Sequence, residues 1–136
     1  MAAEKGFLMT SPVLSYEYVV LRCVPRVDRE EFINVGVVIH SQGADFLDCA
    51  FSIEPDRLRS FSPDLDLASV ETTLETVRGV CRGEHAPGRP ILDGLGQRFG
   101  WITAPRSTVV QPGPIHGGLT SDPATELQRL LAELVG

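Results

Sequence analysis

Arg22 interrupts the apolar run "LSYEYVVLRCV", and Asn34 interrupts the β-branched run "EEFINVGVVIH". A guanidinium on a sheet face can grip a phosphate or carboxylate with two parallel hydrogen bonds. It can equally pair with Glu30 or Glu31, or lie over Tyr18 as a cation on a ring. An asparagine inside a strand is disfavoured unless its amide finds a partner, because a buried unpaired amide costs about 1–3 kcal/mol. Gly36, two residues on, removes a side chain and lets a ligand or another backbone come close; a β-bulge is the alternative reading. Glu31 has the chemistry of a general base, provided that it stands within hydrogen-bond reach of the proton it takes. Arg57, Arg106 and Ser107 offer two more cations and a hydroxyl. Brought beside Arg22 they would complete an anion pocket; left apart they are solvated surface groups.

Other chemistries have less support. His40, His85 and His116 show neither HxH nor HxxxH spacing and join no carboxylate cluster, so no metal is expected. "GLGQRFG" matches neither dinucleotide nor P-loop spacing, and no nucleophile elbow occurs, so no cofactor is expected. A net charge of −6 argues against a nucleic-acid partner that relies on phosphate neutralisation. It leaves room for a local pocket that binds one small anion. Cys23, Cys49 and Cys81 are an odd, widely spaced set, each on an apolar stripe, and point to free thiols in a reducing cytoplasm. No run of about 18 apolar residues is present, so no membrane span is expected.

The elements that must carry these residues follow from periodicity. Residues 14–24 alternate as a first strand, with Tyr16, Tyr18, Val20, Arg22 and Val24 on one face. A second strand covers about 32–41. Its alternation puts Ile33, Val35, Val37 and Ile39 on one side and Asn34, Gly36, Val38 and His40 on the other. "SQGA" supplies a hairpin glycine, and a third strand spans about 45–53. "EPDRLRSF" could make one helical turn. Leu67, Val70, Leu74, Val77 and Cys81 then form a helical stripe, capped by Asp64 or Asp66 and ended by Gly83. The signal weakens over 84–106, where "ILDGLGQRFGWI" reads as a poor helix broken by three glycines. Residues 107–111 read as a fourth strand and "GPIHGGLTS" as a loop. Asp122 and Pro123 then start a helix faced by Leu127, Leu130, Leu131 and Leu134. The expected fold is α+β: an antiparallel β-meander of three to four strands with two main helices packed on one face. Residues 1–13 are expected to fray, and 14–136 to form a single domain.

These features together resemble the bacterial family known as domain of unknown function 3037, over roughly residues 14–136. The most specific part is an aromatic, Arg22 and Pro25, followed by Glu31-Phe-Ile-Asn34-Val-Gly36-Val. Tyr16 and Tyr18 compete for the aromatic position. The resemblance carries over Arg22, Glu31, Asn34, Gly36, Arg57, Arg106 and Ser107 as signature positions, without catalytic roles. It implies a small cytoplasmic bacterial protein and, by gene neighbourhood, a HipA-like kinase-fold protein as partner. Three functional readings follow. One is a non-catalytic binding or partner module that recognises a protein surface or small anion. The second is an enzyme on a phosphate-bearing small molecule, with Arg22 and Arg106 as clamp, Asn34 orienting and Glu31 as base. The third is purely structural, with Arg22 and Glu31 pairing to fix strand register.

Overall fold

Leu14–Cys23 forms strand β1, the axis of the fold, in the computed structural model, which describes residues 12–136. Residues 1–11 of the stretch expected to fray lie outside the described residues. Ile33–Ser41 (β2) pairs antiparallel with β1, and Phe46–Phe51 (β3) pairs with β2, so the expected meander forms. A left-handed residue does close the β2–β3 hairpin, but it is Asp45 (φ 53°) rather than Gly43.

The other edge of β1 is shared. Val110–Pro112 (β4) pairs with its last residues, and His116–Thr120 (β5) pairs with its first. Pro112 and Pro114 flank the break, where a proline cannot donate to the ladder. The loop expected at "GPIHGGLTS" is therefore mostly strand. Long-range pairing with β1 overrides the weak β propensity of Gly117 and Gly118. At Gly118 a Cβ would lie 2.5 Å from the Tyr16 hydroxyl, so the missing side chain makes room for that ring.

The expected two helices on one face are corrected to four helices distributed over both faces. They are Pro55–Phe61 (α1), Leu67–Cys81 (α2), Leu95–Thr103 (α3) and Pro123–Leu134 (α4). On one face Val19, Leu21, Cys23, Val35, Val38, Leu47 and Cys49 pack under α2 and α3. On the other, Tyr16, Val37, Ile39 and Ala50 pack against Leu127 and Leu130 of α4. Helix α3 forms despite its glycines because Phe99 and Ile102 are buried in the first of these cores. Their burial, at about 1.5–3 kcal/mol for a large apolar side chain, exceeds the propensity penalty of about 1 kcal/mol per glycine.

Two caps work as the sequence suggests. The Asp66 carboxylate accepts from Ser69 N–H at 3.2 Å, and that of Asp122 accepts from Thr125 N–H at 3.3 Å. Gly83 (φ 70°) ends α2, with Glu84 N–H donating to Gly79 O and Gly83 N–H to Val80 O. That pair of bonds is a Schellman termination, which requires the left-handed residue.

Candidate functional site

The site begins with a break in the alternation of β2. The register runs Val20↔Val37 and Leu21↔Gly36, then shifts to Arg22↔Asn34, leaving Val35 as the extra residue of a bulge. Paired residues share a face, so Asn34 turns to the side of Val37 and Ile39, and Val35 joins Leu21 and Val38. The polar row of Asn34, Gly36 and His40 expected from strict alternation does not exist. Gly36 is on the opposite side from Asn34, packed so tightly that a Cβ would lie 3.0 Å from Ala50 O and from Phe51 Cβ. The bulge is what places the Asn34 amide beside Arg22.

Arg22 and Asn34 do share a face, but their polar groups have different fates. Asn34 Nδ2 donates to Leu134 O at 3.1 Å, and Arg57 Nη1 donates to Val135 O at 3.1 Å. Both thus satisfy carbonyls at the C-terminal end of α4, where donors and positive charge are favoured. Arg22 has no such employment. Its Nε is buried with no hydrogen-bond partner, and its guanidinium carbon sits 4.1 Å from the centroid of the Phe32 ring. The Glu30, Glu31 and Tyr18 partnerships considered from sequence do not form; Phe32 takes the stacking role.

Beside Arg22 opens a cavity of about 300 Å³, lined by Val24, Val27, Glu30, Phe32, Gln111 and Pro112. Its walls come from two sources. The β1–β4 pairing sets Gln111 opposite Arg22, and the β1–β2 connection folds over as a 3-10 turn at Val27–Arg29. Gly113 donates its N–H to Val20 O at 2.8 Å, and a Cβ there would lie 3.1 Å from both Nε and the central carbon of the guanidinium. A glycine is needed for the arginine to hold this position. Phe32 and Val27 are 44% and 56% exposed, so the cavity presents an apolar wall as well as a charge.

The remaining sequence candidates lie elsewhere. Glu31 accepts from Arg29 Nε at 2.6 Å, and that hydrogen bond lowers its carboxyl pKa below the ordinary value. With Arg29, Arg26, Pro25, Phe61, Ser62 and Pro63 it lines a second cavity of about 280 Å³. Arg106 lies over Trp101 at 4.6 Å and donates to the Trp101 and Ala104 carbonyls. Ser107 is exposed. The base, the second clamp and the first clamp of the enzyme reading are therefore not assembled in one cavity, and the geometry lends that reading no support. The Arg22–Glu31 pair of the structural reading is replaced by Arg29–Glu31.

Sequence reasoning missed Phe32, Gln111 and Gly113, and weighed Glu30 only as an ion-pair partner. Nothing in "DREEF" separates Glu30 from Glu31 before the 3-10 turn is known. The "QPGP" segment carried a signal, since a glycine between prolines marks a place where the chain must bend.

Three buried thiols accompany these features. Burial pushes the Cys23 and Cys81 thiols up and takes that of Cys49 to about 12, which keeps them protonated and inert at neutral pH. Among the described residues no helix is long and apolar enough to cross a membrane, and no cluster of histidine, cysteine or carboxylate could hold a metal ion.

Comparison with curated proteins found no match, and comparison with solved structures found none either. A family model does match, over residues 18–135, taking in the Arg22 cavity and α4 together. The chain belongs to the family described as Protein of unknown function (DUF3037).

Proposed function

We propose that the chain is a non-catalytic binding module whose Arg22 cavity receives an anionic group, carried by a small ligand or by a protein partner. One observation carries the reading: Arg22 lines a 300 Å³ cavity while its guanidinium, stacked on Phe32, makes no hydrogen bond or ion pair among the described residues. Nε is closed off from the cavity, so the terminal guanidinium nitrogens are the donors a ligand would meet, and they have no partner within the chain among the described residues. A charge-assisted, two-point contact is what a guanidinium offers a carboxylate or phosphate. The protected thiols suit a cytoplasmic setting. A HipA-like kinase-fold protein is the protein partner to try first, on the strength of the family resemblance.

Calorimetric titration of the wild type and of Arg22→Met tests this, using inorganic phosphate, 4-methylpentanoate and a co-expressed kinase-fold partner in turn. Binding of at least one by the wild type, weakened tenfold or more in a folded Arg22→Met variant, is the expected result. Equal binding by both proteins, or binding by neither, removes the reading.

A further inference from the structure

The Arg22 cavity holds a second charge that the anion reading leaves unused. Glu30 lines the same cavity, yet among the described residues neither it nor Arg22 bridges to the other. Elsewhere on this molecule opposite charges that meet do pair: Arg26 with Asp28, Arg29 with Glu31, Arg82 with Asp48, Arg129 with Glu126. Two unlike charges that line one cavity without pairing are complementary to a ligand that carries both signs.

The backbone points the same way. Glu30 has φ 53°, a left-handed conformation that glycine or asparagine adopts at far lower cost than glutamate. Strain at a non-glycine residue in a cavity wall is a recurrent mark of a working position. The remaining walls, Val24, Val27, Phe32 and Pro112, are apolar and would accept a hydrocarbon group. A volume near 300 Å³ is at the lower end of small-molecule sites, which span about 300–1,000 Å³. A phosphate dianion would suit Arg22 but would share the cavity with the like charge of Glu30. A zwitterion would satisfy both groups.

We infer that the ligand of this cavity is a free α-amino acid with an apolar side chain, its carboxylate on Arg22, its ammonium on Glu30, and its side chain against Phe32 and Val27. The assignment rests on the anion reading of the cavity and narrows it to one ligand class. Orientation is fixed by the two charges, and selectivity among amino acids is set by the apolar wall.

Calorimetry with four probes separates the two levels of the proposal: L-leucine, 4-methylpentanoate (no amine), 3-methylbutylamine (no carboxylate) and inorganic phosphate. Leucine is expected to bind at least tenfold more tightly than either single-charge analogue. Glu30→Gln is expected to reduce leucine to the level of 4-methylpentanoate while leaving 4-methylpentanoate itself as tight or tighter. If 4-methylpentanoate or phosphate matches leucine on the wild type, or Glu30→Gln leaves leucine unchanged, the amino-acid assignment falls and the anion site stands. If no carboxylate or phosphate probe binds a protein whose amide spectrum shows it folded, both fall. Glu30→Gly, which relieves the left-handed strain, is expected to melt higher than the wild type yet lose the leucine preference. A Glu30→Gly protein that retains the preference also overturns the assignment.

Discussion

Two arginines of this molecule share a defect and differ in their surroundings. The Nε atoms of Arg22 and Arg98 are both buried without a hydrogen-bond partner. Each has a glutamate lining the same space and a left-handed residue in its wall, Glu30 beside Arg22 and Gly83 beside Arg98. The space beside Arg98, among Val80, Gly83, His85, Pro90 and Leu92, is about 10 Å³, room for roughly one water. The space beside Arg22 is about 300 Å³ and has an apolar wall. The Arg98 niche is too small for a solute, whereas the Arg22 cavity can take one. An arginine with an unsatisfied buried nitrogen is thus informative only together with the size of the space its side chain lines.

Arg129 marks the opposite limit, an arginine bonded through every nitrogen. It donates to Glu126 through Nε at 2.8 Å and Nη2 at 2.7 Å, and to Glu133 through Nη1 at 2.5 Å. Tyr16 O–H donates to the same Glu126 carboxylate at 2.5 Å, tying α4 to the central strand. These contacts engage all three nitrogens with carboxylates of its own helix, and the group reads as a clasp between layers.

The comparison breaks most visibly at Arg22. Arg22→Met keeps the stem over Phe32 and removes the unpaired donors, so anion affinity is expected to fall about 10–100-fold, the loss of a charged hydrogen bond or two. Stability in urea is expected to hold or rise by about 1 kcal/mol, since a buried unsatisfied group disappears. A loss of several kcal/mol would instead make Arg22 a structural residue. Gly113→Val comes next. Its Cβ would meet the guanidinium at 3.1 Å, so about 1–3 kcal/mol of overpacking and a drop in anion affinity should appear together. Intact affinity in that variant would mean that the guanidinium is not the receptor.

On the Arg98 side, Gly83→Ala must adopt φ 70° with a side chain and should cost about 1–2 kcal/mol in denaturant melts. Anion affinity is expected to stay unchanged, because the Arg98 niche takes no solute. The clasp is read through the pH dependence of stability. Hydrogen bonding from Arg129, opposed by burial and helped by Tyr16, holds the Glu126 carboxyl down to about 2 from an ordinary value near 4.5. A depressed folded-state value contributes stability that is present above about pH 4.5 and is lost as pH falls through about 2. Glu126→Gln should flatten that acid limb of the stability profile, with urea unfolding midpoints measured across pH 2–5 as the check. An unchanged acid limb would deny the clasp its role.

Much of the scaffold was legible because its signals are local. The strand runs of β1–β3, the 3–4 stripe of α2, and the Asp122–Pro123 start of α4 all lie in contiguous residues and match the structure. Features set by distant partners were not legible. Strand β5 exists through pairing with β1, α3 exists because Phe99 and Ile102 find a core, and α4 covers the second face through Leu127 and Leu130. The site was half legible for the same reason. Arg22 stood out as a charge in an apolar strand, and its neighbour Asn34 as an amide needing a partner. The identity of that partner, the carbonyl of Leu134 at the far end of the chain, could not be read from spacing. The β-bulge weighed as an alternative beside Asn34 and Gly36 does form, but that it leaves out Val35, and so which face each residue beyond it takes, could not be read from spacing.

The most direct test watches the two orphaned nitrogens together. In a ¹H–¹⁵N NMR titration of the arginine side chains with L-leucine and then inorganic phosphate, the Arg22 Nε–H signal should shift and exchange more slowly with solvent, while that of Arg98 stays fixed. An Arg22 signal unmoved by either probe, or an Arg98 signal that moves equally, would contradict the claim that the Arg22 cavity is the receptor.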